Sequence, residues 1–211
     1  MNLHPLLHGK RVILGSLLLG SLSVAGNAAS IFNFDADSVD QGTPFTDTSN
    51  GLSATFSSPG DPGGFGITAS FFSALAGNVL IDPGPAGLDR LALNIGFSSS
   101  VDSIGLDFAV NSAAPVPLTL TAFENSAAVG TVTAADAFPS PEAQSPEGHL
   151  DFSGTLFDSV TLTSGAADLA IDNVAVTRSV ATTPEPAAAG LFSLAGALAC
   201  IGLMVKRLQR R

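Results

Sequence analysis

Apolar and polar residues alternate along the middle of the chain with a period of two. Leu91, Leu93, Ile95 and Phe97 are interleaved with Ala92, Asn94 and Gly96, and Ile104, Leu106, Phe108 and Val110 with Gly105, Asp107 and Ala109. Successive side chains of a strand point to opposite faces, so this spacing predicts strands with one buried face. Residues 118–123, 129–133, 150–152, 160–163 and 169–176 continue the series, and 31–34 and 52–56 precede it. The separators at 57–64, 82–85, 98–100 and 164–165 are rich in Ser, Gly, Pro and Asp, the residues that turns favour. Many short strands with such punctuation predict an all-β domain, an antiparallel β-sandwich of jelly-roll type over residues 29–177. Only 67–75 reads otherwise, as one or two helical turns. The pattern assigns Phe34, Phe56, Leu93, Ile95, Ile104, Leu106, Phe108, Leu120, Phe152, Leu162 and Ile171 to the core.

The last strand breaks its own parity. Leu169 and Ile171 are odd, whereas Val174 and Val176 are even. A slip of one residue at Asp172-Asn173 predicts a bulge, which re-aims the side chains beside it.

Both ends of the chain depart from this pattern. Lys10 and Arg11 precede an apolar run at 12–24, and Gly26-Asn27-Ala28 supplies small residues after it. That is the pattern of a secretory signal peptide over 1–28, removed after Ala28. Near the other end, residues 187–205 contain no charge. A span needs about 20 apolar residues at a rise of about 1.5 Å each, so this run is just long enough for one transmembrane helix. Lys206, Arg207, Arg210 and Arg211 follow it and would hold residues 206–211 in the cytoplasm as a membrane stop. Residues 178–186 form a linker that contains Pro184-Glu185-Pro186.

Charge narrows the function. All 18 acidic residues lie between Asp35 and Glu185, and Arg90 and Arg178 are the only Lys or Arg between the two ends. The exported part is therefore more acidic than the net charge of −10 conveys. Such a surface repels phosphates, which excludes nucleic acid as a partner. The single cysteine, Cys200, falls in the apolar run, so no intrachain disulfide supports the domain.

Catalytic patterns are sparse. His149 is the only histidine beyond residue 8, no Gly-x-Ser-x-Gly elbow accompanies it, and it reads as a solvated loop residue at the head of a strand. Glu142 and Glu147 have the type of an acid/base pair, but they lie in a proline-stiffened stretch that reads as an exposed loop. Zinc needs clustered Cys or His, and the glycines at 60–66 follow no strand-to-helix pattern. The expectation is a chain that is no enzyme and requires no cofactor.

The order Pro184-Glu185-Pro186, apolar span, basic end resembles the PEP-CTERM sorting signal of bacterial exported proteins. That resemblance implies an exosortase as partner and residence in the inner membrane before processing near the motif. It further implies delivery to the cell envelope or the extracellular space, often together with exopolysaccharide. The opening 31–58 and the closing 157–176 resemble the jelly-roll domains found upstream of such signals. The ending Ala170-Ile171-Asp172-Asn173-Val174 is also similar to the last strand of galactose-binding-like jelly rolls. In those domains the Asp ligates a structural calcium beside the first strand, which here carries Asp35 and Asp37. The implied calcium set is Asp35, Asp37, Asp172 and Asn173; the other reading is that Asp172 caps its own turn with Asn173. Sugar-binding members stack Trp or Tyr on their ligand, and this chain has Trp 0 and Tyr 0. A non-catalytic surface or matrix protein is thus expected, with an exopolysaccharide-binding module as the alternative.

Overall fold

The computed structural model describes residues 29–61, 63–82, 92–166 and 168–178. The signal peptide, the Pro184-Glu185-Pro186 motif, the span at 187–205 and the basic stop at Lys206, Arg207, Arg210 and Arg211 lie outside the described residues.

Within them the chain forms ten strands: β1 (Ser30–Phe32), β2 (Phe45–Ser49), β3 (Leu52–Ser57), β4 (Gly66–Ala69), β5 (Asn78–Ile81), β6 (Leu93–Val110), β7 (Leu118–Glu124), β8 (Ala127–Ala134), β9 (Glu147–Ser164) and β10 (Leu169–Thr177). Every ladder between them is antiparallel. Two strands of 18 residues each, β6 and β9, organise the rest. They pair from Leu93↔Leu162 to Ala109↔Glu147, with register shifts between Gly96 and Ser103. On one side of that break the order is β2-β3-β6-β9-β7-β8. On the other side β6 pairs with β10, which receives β1 and β5 at its two ends, and β5 carries β4. Long strands that pass through a bulge are how one sheet turns a corner and closes as a sandwich.

The two halves share one core. Phe32 on β1 meets Phe56 on β3 edge to face at 6.1 Å, and Phe34 lies 5.2 Å from Phe56. Ten of the eleven side chains assigned to the core by periodicity are buried; Phe152 is half-buried and packs against the edge of the cluster. Its ring crosses Gly130, where a Cβ would stand 2.6 Å from Phe152 Cζ. The glycine on β8 thus makes room for an aromatic ring that the alternation placed deeper.

Three expectations about elements are corrected. Ser98-Ser99-Ser100 is no turn, because the flanking ladders keep β6 extended through it, and the exposed Ser98 and Ser99 mark the register break instead. The stretches 150–152 and 160–163 are likewise parts of one strand, β9. Residues 67–75 form no helical turn: Ile67 pairs with Leu80 in β4, and a loop follows. The short strands β2, β4 and β5 were not anticipated, since four or five residues with little alternation leave no period to read.

Candidate functional site

The parity break in β10 is a bulge. Its register against β6 shifts between Asp172 and Ala175, and Asn173 adopts a left-handed φ of 51°. Asparagine tolerates that conformation because its short side chain bonds locally. Here the side-chain NH₂ donates to Asp107 Oδ2 at 2.9 Å, and the Asn173 N–H donates to Asp172 Oδ1 at 2.7 Å. Asp172 therefore caps its own turn, one of the two readings its sequence allowed.

Register then builds a polar row across three strands. Asp172 on β10 faces Asp107 on β6, and Asp107 faces His149 on β9. His149 Nδ1 lies 2.7 Å from Asp107 Oδ1, and Nε2 lies 3.2 Å from Asp151 Oδ1. Gly105, opposite Asp151, leaves the space that this carboxylate uses: an added Cβ would stand 2.7 Å from Asp151 Oδ1. The hydrogen bond to Asp107 holds the His149 pKa above its ordinary value, more than burial lowers it, with Asp151 adding to the rise. With both ring nitrogens engaged by carboxylates, the imidazole is a tether between strands rather than a base aimed at a nucleophile. His149 thus lies within β9 and not in a loop; Asp107 reaches it from 42 residues away in sequence, and Asp151 from the same face of its own strand.

Asp172 is only 2% exposed. Burial pushes its pKa up to about 6, the Asn173 N–H opposes this, and the charges of Asp35 and Asp107 add to it. Asp35 is exposed just past β1, where its Oδ1 accepts from the Asn78 N–H at 2.9 Å. A Cβ on Gly77 would collide with this carboxylate, so the turn before β5 is cut to fit Asp35. Asp37 is placed beside Asp47; its pKa is raised by burial first and by Asp47 second. Calcium takes about six to eight oxygens, several of them carboxylate. Among the described residues no three His, Cys, Asp or Glu side chains gather in a way that could hold a metal ion. Of the implied calcium set, Asp35 and Asp172 each lend Oδ1 to a backbone N–H.

Glu147 was expected in an exposed loop and is instead the buried first residue of β9. It accepts from the Ser73 N–H at 2.7 Å and the Ala74 N–H at 2.6 Å, and so fastens the 70–77 loop across the sheet. Beneath that loop Phe72 and Leu75 pack on Val79, Ile81, Ala109 and Ala170, a second apolar cluster on the outer side of β5, β6 and β10. Glu142 remains exposed. The two glutamates thus serve different parts of the surface. Beside the loop, a concavity of about 430 Å³ is lined by Asp40, Ile67, Phe71, Asp82 and Asp168, among others. The Asp168 carboxylate there accepts from Asn111 Nδ2 at 2.8 Å.

Asp107 and Asp151 were not legible as site residues: Asp107 meets His149 only through cross-strand register, and Asp151 only because both lie on one face of β9. Glu147 stood out by residue type, but its partners, the Ser73 and Ala74 amides, come from a distant loop.

No protein-family model matches the chain, and no curated protein matches it. Among solved structures it is similar to a mutant of CBM29-2, a family 29 carbohydrate-binding module, complexed with mannohexaose: TM-score 0.35 and 18% identity, covering 72% of this chain and 92% of the other. A further family 29 module gives a TM-score of 0.28 at 20% identity, over 59% and 88% of the two chains. The catalytic domain of a GH87 α-1,3-glucanase in complex with tetrasaccharides gives 0.34 at 10% identity, over 75% of this chain and 29% of that one. At these scores the likeness assigns no family, and the antiparallel sandwich stands on the strand pairings themselves.

Proposed function

We propose that the chain is an exported, non-catalytic cell-surface or extracellular-matrix protein, sorted by a C-terminal PEP-CTERM signal and processed by an exosortase. One observation carries this: Pro184-Glu185-Pro186 abuts an uncharged run at 187–205 that ends in Lys206, Arg207, Arg210 and Arg211. Proline lacks an N–H and clashes with the preceding turn, so Pro184 and Pro186 keep a helix from extending back past Ala187. On this reading the motif lies at the outer face of the inner membrane, within reach of a processing enzyme. The precursor sits in the inner membrane with the sandwich outside, and the processed protein passes to the envelope or beyond. Replacing Pro184, Glu185 and Pro186 by alanine should leave insertion intact and block processing in an exosortase-bearing host. Normal cleavage and release of that triple variant would refute the assignment.

A second reading is that the sandwich binds an extracellular polysaccharide. It is favoured by a broad face of the sheet that carries hydroxyl groups and no charge, on a domain that is otherwise acidic.

A further inference from the structure

The half of the sheet ordered β2-β3-β6-β9-β7-β8 buries one face and exposes the other. Leu120, Leu162, Ile95 and Phe56 point inward and are fully buried. Their alternates point outward, and most of these are hydroxyl residues, with Asn94 and Gly96 on β6 and Phe123 at the end of β7. Thr-x-Thr recurs at 46–48 on β2, 119–121 on β7, 131–133 on β8 and 161–163 on β9, with Ser53-x-Thr55 on β3.

Register brings these side chains together in pairs. At one edge Thr46 and Thr55 place their hydroxyl oxygens 2.8 Å apart, as do Thr48 and Ser53. At the other edge the hydroxyls of Thr119 and Thr133 are 3.1 Å apart, and Thr131 donates to Thr121 at 3.4 Å. Between them Thr161 donates to Asn94 Oδ1 at 2.8 Å. No side chain in these rows is charged, although the chain carries a net charge of −10.

The pairing decides what the face offers. A hydroxyl has one donor and two acceptor sites. Two hydroxyls bonded to each other keep one donor and three acceptors for an outside partner. The array is therefore acceptor-rich, held in place by its own bonds, and repeats at the strand spacing of about 4.8 Å. Its complement is a neutral molecule rich in hydroxyl donors and repeating at a similar interval. An anionic polymer gains nothing from the face, which has no cation, and is repelled by the acidic domain around it.

We infer that this hydroxyl face is the docking surface for a neutral polysaccharide, laid across the strands so that successive sugars meet the polar rows of successive strands. The inference rests on the polysaccharide-binding reading above and gives it a ligand class and a place. Each contact is weak, so binding depends on many repeats along one polymer. The Thr methyl groups supply the apolar contact that Trp or Tyr would give elsewhere.

The test is affinity electrophoresis of the full chain, extracted in nonionic detergent, through gels containing a neutral β-glucan, neutral dextran or anionic alginate. Retardation is expected in at least one neutral gel and not in alginate. Thr121→Val with Thr161→Val keeps shape and strand preference while removing two hydroxyls; it should bind about tenfold more weakly. Thr131→Lys, at an exposed edge position, reports on the same face should the double variant melt early. His149→Ala, on the other half of the sheet, should bind as the parent does. If the parent is retarded and both threonine variants match it, polysaccharide binding stands and the hydroxyl face is wrong. Equal retardation by alginate would overturn the neutral class. No retardation in either neutral gel would overturn the inference together with the binding reading, and would leave the sorting proposal untouched.

Discussion

Glu147→Ala should detach the 70–77 loop while leaving the sandwich folded. Glu147 is 9% exposed, and its carboxylate accepts two short bonds from backbone N–H groups, at 2.7 and 2.6 Å. A hydrogen bond to a charged group contributes about 1.5–3 kcal/mol, and removing the acceptor leaves both donors without their partner. Loss of the pair should cost roughly 3–5 kcal/mol where the loop is closed, less whatever water restores once it opens. The loop keeps internal ties, from the Ser70 N–H to the Gly77 carbonyl at 2.8 Å and from the Ser70 hydroxyl to the Leu75 carbonyl at 2.6 Å. It should therefore swing out as a unit and uncover Phe72, Leu75 and the apolar floor of Val79, Ile81, Ala109 and Ala170. Local opening of this kind appears in native-state hydrogen exchange before global unfolding. The amides of Ser73 and Ala74 should lose protection by about two orders of magnitude or more, while those of β6 and β9 should retain theirs. Glu147→Gln keeps one acceptor oxygen and should fall between the two. The chain has no Trp or Tyr, so global melting is best followed by far-ultraviolet circular dichroism. Unchanged protection at Ser73 and Ala74 in Glu147→Ala would refute the clamp.

Packing and charge set four further outcomes. Leu106→Ala, at a side chain with no exposure, should lower the unfolding free energy in denaturant titration by about 2–5 kcal/mol through the cavity it leaves. Gly148→Ala would place a Cβ 2.6 Å from Phe108 Cζ and 3.1 Å from the Ala135 carbonyl, and should cost about 1–3 kcal/mol by overpacking. The folded-state pKa of Asp172, about 6, exceeds its ordinary value of 3.8, so between these pH values the folded chain holds a proton that the unfolded chain has released. Stability should consequently fall as pH rises from about 4 to 6. Asp172→Asn should flatten that slope and raise stability at neutral pH by about 1–2 kcal/mol. A raised histidine pKa works in the same direction at higher pH: its contribution is complete below the ordinary value of 6.5 and is lost as pH rises through the folded value. The His149 ring should titrate above 6.5 by NMR, and Asp107→Asn should bring it down.

Periodicity by itself determined the all-β class, ten buried side chains of the core and the bulge at Asp172-Asn173, because each is a property of side-chain parity along a single strand. Leu93, Ile95, Leu106 and Ile171 are buried for the reason their spacing predicts. Tertiary structure decided whatever depends on which strand lies beside which. Ser98–Ser100 has the composition of a turn, yet ladders on its flanks hold it extended within β6. Glu147 sits among prolines that suggest solvent, yet the loop from 70 to 77 folds over it and supplies two donors. His149 and Asp107 are 42 residues apart and meet only because β9 takes one register on β6. The Thr-x-Thr repeats are visible in the sequence, but their assembly into one face required the order β2-β3-β6-β9-β7-β8. Local alternation tells a strand which side to bury; neighbours and register are set by the closing of the whole sheet.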